Sequence, residues 1–373
     1  PLFPGNPVPA STPQLGLAAM IRRLALAAAA VALASPACRA EVLCISTAAQ
    51  LRSALVTAAN SPSATEIRLH PGFYSVPAAN GSAVSLSYSA NSDLSISGGW
   101  RDVGGSCATQ GGSPSDTVLS AAGVGQLFDV FLQTGAATRF EISNLSLRQG
   151  DLSNGGGASA CLAIETDGRS DATVLIDRNE FRLCNRVGGS GSALALTARS
   201  ATVYVRGNVF ADNGNTSGAV LLKSLGGSIG YVSNNTIANN PQFGIGGGPG
   251  GLQITGLASD FYWITNNVLW NNGTGNGYDL LATAPAEALL YNLVGQMAPL
   301  PAGTADINNL GVDPGFTSLI DFHPRADSPL RNSGVNPSGG IIAVDFDDLP
   351  RIAGSKIDRG AYEFGELFGN GFE

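Results

Sequence analysis

Charged side chains are scarce. Asp, Glu, Lys and Arg make up 13% of the 373 residues, and the formal net charge is −8. Residues 1–40 hold three Arg (Arg22, Arg23 and Arg39) and no acid, which leaves 17 basic against 28 acidic groups elsewhere, about −11. A chain without basic clusters offers nothing to a phosphate backbone or an anionic lipid surface, so nucleic acid is not an expected partner. Histidine is rarer still, with only His70 and His323. Neither stands beside a Ser or Cys nucleophile motif, so an acyl-transfer triad lacks its base. There is no glycine-rich phosphate loop. Between the recurring motifs there is no ten-residue helical pattern, which argues against a helix bundle.

Glycine is plentiful, at 49 residues, and with Ser and Asn it separates short apolar runs. Two of those runs are one unit written twice: Tyr231-Val-Ser-Asn-Asn-Thr-Ile-Ala-Asn-Asn240 and Trp263-Ile-Thr-Asn-Asn-Val-Leu-Trp-Asn-Asn272. The pattern recurs at Tyr204-Val-Arg-Gly-Asn208, at Leu175-Ile-Asp-Arg-Asn179 and more loosely at Phe140-Glu-Ile-Ser-Asn144. Anchored on Asn144, Asn179, Asn208, Asn235 and Asn267, the steps are 35, 29, 27 and 32 residues, a solenoid period. Each later copy has a β-branched residue three places before the Asn (Ile176, Val205, Val232, Ile264) and an apolar residue two places after it (Phe181, Phe210, Ile237, Leu269). Short strands joined by Gly/Asn turns predict a parallel β-helix, one domain over residues 41–365, in which the repeated Asn stack as an amide ladder.

Residues 1–19 read as a non-native or upstream-translated segment and 20–40 as a signal peptide. Arg22 and Arg23 precede the apolar stretch Leu24 to Leu33, which is too short to span a membrane. Four cysteines then remain, Cys44, Cys107, Cys161 and Cys184, an even number in a chain expected to be exported. Disulfides Cys161–Cys184, one coil apart, and Cys44–Cys107 are the expectation, with free buried thiols the alternative. Thr47-Ala-Ala-Gln50 is a capping box, so a short helix with Leu51 and Leu55 on one face is predicted to plug the first coil. Glu66 begins the expected first strand.

That strand carries Ile67, Leu69, Gly72 and Tyr74, and Ile96-Ser-Gly-Gly-Trp100 precedes Cys107. Near the other end stand Val312-Asp-Pro-Gly-Phe316, Ser328-Pro329, Leu349-Pro-Arg351 and Asp358-Arg-Gly-Ala-Tyr-Glu363, in that order. Together these resemble pectin-lyase-like right-handed parallel β-helix proteins of the choice-of-anchor Q type, bacterial exported and surface proteins. The resemblance implies the right hand of the helix and an envelope setting. Where relatives place an Asp before a Gly, this chain has Ser333-Gly334. Residues 366–373 form a short tail similar to the ending of some exported proteobacterial proteins.

Polygalacturonase-like members use a Gly-His-Gly and an Arg-Ile-Lys element, and both are missing. The best local carboxylate cluster, Asp171, Asp177 and Glu180 with Arg178 and Arg182, is split by strand alternation and reads as surface charge. Asp345, Asp347 and Asp348 are spaced like the start of a Ca²⁺ loop without its Gly and distal Glu, so Ca²⁺ and structural hydrogen bonding both stand as readings. If the β-branched residues point inward, Tyr204, Tyr231 and Trp263 point outward on consecutive coils, where aromatic faces suit sugar stacking. The expectation is a monomeric, secreted or cell-surface protein, adhesin-like and non-catalytic, whose partner is a polysaccharide or cell-envelope glycan. The alternative is a divergent polysaccharide lyase or hydrolase.

Overall fold

The computed structural model describes residues 40–365, apart from 77–81, 89–91, 104–105, 134–137, 154–156, 169–170, 188–190, 215–216, 243–248, 274–276, 284–286 and 337–341. The expected leader segments and the tail lie outside these residues. The chain winds as a parallel β-helix. It passes repeatedly through three sheets: A, of ten strands from Glu41–Ile45 to Ala305–Ile307; B, of eight, from Gly72–Ser75 to Leu293–Val294; and C, of seven, from Ser82–Tyr88 to Tyr278–Ala282. One coil, for example, is Ala201–Arg206 in A, Val209–Ala211 in B and Val220–Ser224 in C. Every pairing within these three sheets is parallel and mostly in register, so equivalent residues stack in columns.

The inner columns are those expected. Ile176, Val205, Val232 and Ile264 align on sheet A, and Phe181, Phe210, Ile237 and Leu269 on sheet B, all buried. Phe181 and Phe210 stack with centroids 4.6 Å apart. Between sheets A and B the chain turns in two residues. The first is left-handed, as at Arg178 (φ 51°), Gly207 (61°), Asn234 (55°) and Asn266 (57°), and the second is the ladder Asn. The ladder runs through Asn179, Asn208, Asn235, Asn267, Asn292 and Asn309. Each Nδ2 donates to the next Oδ1, and each Oδ1 also accepts a backbone N–H from the coil before. A second ladder, Asn213, Asn240 and Asn272, lies at the B-to-C corner and ends on Asp279.

The first anchor is displaced by one residue. Ile142 pairs with Ile176, which puts Asn144 at the left-handed position and Leu145 at the ladder position. Asn144 instead donates to the Gly98 carbonyl (3.0 Å), and the ladder starts at Asn179. The outermost strand of sheet A is Glu41–Ile45, ahead of the helix, so the strand at Glu66 is the second. Helix Ala48–Asn60 has the capping box intact and buries Leu51, Ala54, Leu55 and Ala58. That face joins the solenoid core against strands of sheets A and C. Both disulfides form as paired in the sequence: Cys161–Cys184 bridges adjacent coils at the B-to-C corner, and Cys44–Cys107 ties the first strand to the antiparallel hairpin Trp100–Val103 and Ser106–Gln110.

From Phe316 onward the chain is mostly irregular and lies over the outer face of sheet B. Phe322, Phe346, Ala361 and Tyr362 pack on Val209, Ala211 and Ala238. This leaves sheet B covered there and the middle of sheet A open.

Candidate functional site

The outer face of sheet A carries the aromatic column. Strand register places Leu175, Tyr204, Tyr231 and Trp263 side by side. The rings of Tyr204 and Tyr231 have centroids 5.0 Å apart and planes within 9°, and those of Tyr231 and Trp263 are 5.0 Å apart and within 6°. All three are half-buried. Phe261 meets Trp263 edge-on at 4.1 Å, and the Arg206 guanidinium lies 4.8 Å from the Tyr204 centroid. Arg206 is itself held by Asp177, Nε to Oδ1, at 2.9 Å.

This geometry alters the expected mode of contact. Two parallel rings 5.0 Å apart leave no slot for a sugar, which needs about 3.5–4 Å on each side. Tyr231 has an aromatic neighbour on both faces, so the column presents ring edges rather than open faces. Among the described residues neither phenolic hydroxyl nor the Trp263 indole N–H has a protein hydrogen-bond partner, which leaves a row of hydrogen-bonding groups at the strand repeat.

The three aspartates of the Ca²⁺ reading do not converge. Asp345 is buried and accepts backbone N–H groups from Asp347 (2.9 Å), Leu349 (2.8 Å) and Glu363 (2.9 Å). Asp347 faces His323 at 2.5 Å, and Asp348 faces Arg178 at 3.3 Å. Among the described residues one group of His, Cys, Asp or Glu does bring its ligand atoms within 4.8 Å of one another: His70, Asp102 and Cys107, whose sulfur is bonded to Cys44. Neither protein-family models nor curated proteins give a match to this chain.

The carboxylates near residue 180 are split between two sheets. Asp177 lies on sheet A with Arg206. Glu180 lies on sheet B, where Ser146 (2.7 Å), Arg148 and Arg182 (2.8 Å) surround it. Burial opposes its ionisation, but the two arginines and Ser146 outweigh this and hold the carboxyl below its usual value. Asp171 is exposed and Arg178 turns to Asp348.

Two further clusters of charged groups lie in the closing segment. His323 is clamped between Asp347 and Asp321 against the Tyr362 ring. The Asp347 hydrogen bond leads in pushing its pKa from 6.5 to about 9, against the pull of burial. Arg351 is buried 3.4 Å from Glu363, and it donates to the carbonyls of Ala361 (2.8 Å) and Gly360. Burial, only partly countered by Arg351, pushes the Glu363 carboxyl from 4.5 to about 8. Leu349-Pro-Arg351 and Asp358-Arg-Gly-Ala-Tyr-Glu363 thus form an internal ion and hydrogen-bond knot within the closing segment.

Proposed function

We propose that this is an exported β-helix protein of the pectin-lyase-like, choice-of-anchor Q kind, right-handed, working as a monomer at the cell surface or outside the cell. It binds a glycan along the outer face of sheet A and is adhesin-like rather than catalytic. The observation that carries this reading is the register-locked column Tyr204–Tyr231–Trp263, whose hydroxyls and indole N–H point from a rigid surface with no protein partner among the described residues. A ligand running along the solenoid axis meets an equivalent donor edge at every coil, which suits a polymer of repeating hydroxyls. Two disulfides are what an oxidising compartment produces, and no helix among the described residues is long and apolar enough to cross a membrane.

A divergent polysaccharide lyase or hydrolase is the second reading, favoured by the arginine and carboxylate network around Glu180 with His323 nearby on the same covered face. One experiment separates the two. The protein is incubated with acidic and neutral insoluble polysaccharides, with and without Ca²⁺, while retention, unsaturated uronide absorbance and new reducing ends are followed. Retention without product, lost in the folded Tyr231→Ala/Trp263→Ala double variant, supports the binding reading. Undiminished retention in that variant sinks it, and product formation moves the function to the Glu180 network.

A further inference from the structure

Three separate elements meet beside the Cys44–Cys107 disulfide. Cys44 lies on the outer face of the edge strand Glu41–Ile45, because Leu43 and Ile45 turn inward and register with Ile67 and Leu69. His70 follows the next strand, Thr65–Leu69, and Asp102 and Cys107 come from the hairpin Trp100–Val103 and Ser106–Gln110. More than the bridge holds that hairpin in place. Arg68 donates to the Cys107 carbonyl (2.7 Å) and lies 4.0 Å from the centre of the Trp100 ring, and the Trp100 indole N–H donates to Ser97 Oγ (2.8 Å). The His70 backbone is fixed as well: its N–H donates to the Ile45 carbonyl (2.9 Å), and its carbonyl accepts the Tyr74 hydroxyl (2.8 Å).

The imidazole Nε2 of His70 lies 3.4 Å from Cys107 Sγ and 3.6 Å from Asp102 Oδ1. Nε2 carries at most one proton and sulfur is a weak acceptor, so hydrogen bonding accounts for one of these approaches at most. The two distances match those between neighbouring ligand atoms around one four-coordinate ion. With bonds of about 2.3 Å to sulfur and about 2.0–2.1 Å to nitrogen and oxygen, the edges of such a tetrahedron are about 3.3–3.6 Å. All three atoms lie within 4.8 Å of one another, and Cys44, bonded to Cys107, stands next to them as a fourth donor. Cys107 is buried and His70 partly so, while Cys44 and Asp102 are exposed. The cluster therefore has a fixed inner wall and an open side by which an ion can enter.

We propose that Cys44, His70, Asp102 and Cys107 form a redox-gated site for a borderline-soft divalent cation of the Zn²⁺ class, available only when the disulfide is reduced. The reductant is a dithiol. Its thiolate attacks the exposed Cys44 sulfur and Cys107 leaves as a thiolate; the second thiol of the reagent then releases Cys44 and closes the reagent's own disulfide, so two electrons pass to the protein. The cation takes the two cysteines as thiolates, displacing any thiol protons, together with His70 Nε2 and one Asp102 oxygen, a four-coordinate N/O/S set of the kind Zn²⁺ prefers. The same parts stay tied in both states, because the S–S bond joins the first strand to the hairpin when oxidised and the ion joins them when reduced. Among the described residues the buried pair Cys161 and Cys184 has no such donors around it, and serves as an internal control.

The test uses the full chain carrying Cys38→Ser, which removes the one cysteine outside the two disulfides. It is reduced with dithiothreitol, desalted under argon and titrated with Co²⁺, then with Zn²⁺ in competition. Thiol titration should find two groups, those of the exposed bond, with the buried bond still closed. One equivalent of Co²⁺ should bind with thiolate charge-transfer absorption and the strong visible bands of a four-coordinate ion, and Zn²⁺ should displace it. The oxidised chain should show neither feature. His70→Ala and Asp102→Ala should each weaken Co²⁺ about tenfold or more, since even groups that only support a metal ligand are worth that much. Asp102 is exposed, so its replacement leaves the fold intact, which circular dichroism checks. The proposal is overturned if the Cys44–Cys107 bond stays closed, if the reduced chain binds no Co²⁺ or binds it without thiolate bands, if either variant binds as the parent does, or if the chain unfolds on reduction with Zn²⁺ present.

Discussion

Replacing Asn235 by Ala removes the middle of the longer ladder. The Asn235 amide makes four hydrogen bonds with no exposure to water: Oδ1 accepts the Asn208 backbone N–H (3.0 Å) and Nδ2–H (2.9 Å), and Nδ2 donates to the Val205 carbonyl (2.8 Å) and Asn267 Oδ1 (2.9 Å). Two of the partners have a second contact, since Asn208 Nδ2 still reaches the Ile176 carbonyl (2.7 Å) and Asn267 Oδ1 still accepts the Asn235 N–H (2.9 Å). The Asn208 N–H is left orphaned and the Val205 carbonyl loses a donor. At about 1–3 kcal/mol for a stranded buried group, with a small void added, the variant should lose about 3–5 kcal/mol. Asn309 is the control. It makes as many bonds, but at the half-exposed end of the ladder, where water replaces them, and Asn309→Ala should cost less than about 1 kcal/mol. Urea unfolding followed by circular dichroism gives both values, and hydrogen exchange at the Asn208 amide should quicken only in Asn235→Ala. Equal costs for the two variants, or an unchanged Asn208 amide, would refute the argument that burial sets the ladder's worth.

Two further outcomes follow from the crosslinks and the closing segment. Cys161→Ser/Cys184→Ser opens a loop of 23 residues and Cys44→Ser/Cys107→Ser one of 63. Loop entropy gives losses of about 3 and about 4 kcal/mol, so the second variant should have the lower urea midpoint, and the reverse order would count against the estimate. Glu363 and His323 both hold their protons more tightly folded than unfolded, at about 8 against 4.5 and about 9 against 6.5. The stability each contributes is complete below its unfolded value and lost as pH rises through the folded one. The melting temperature should therefore fall between pH 6.5 and 9, and Glu363→Gln should flatten the more acidic part of that fall; a melting temperature that rises over this range would contradict the reading.

Much of the fold could be read locally because a solenoid repeats its own chemistry. Inward residues at Val205, Val232 and Ile264, outward rings at Tyr204, Tyr231 and Trp263, and the ladder Asn all sit at fixed offsets within one short motif. The capping box at Thr47 and Gln50 is equally local. The motif is weakest at its first copy. At Phe140 to Leu145 an Asn occupies the left-handed turn instead of the ladder, and both positions favour that residue type, so spacing alone does not separate them. The strand Glu41–Ile45 leaves no trace of its own in the sequence, because its five residues carry no repeat and follow a segment that reads as a leader.

The sequence by itself therefore determined the repeating unit, the parity of each strand and the residues that stack, since these depend on neighbours two to five places away. Only the tertiary structure decided which groups are spent. Asp345 is consumed by three N–H groups, Glu180 by two arginines, and the aromatic faces by one another. Those outcomes depend on contacts between residues as far apart as Arg178 and Asp348, which leave no periodic trace in the chain.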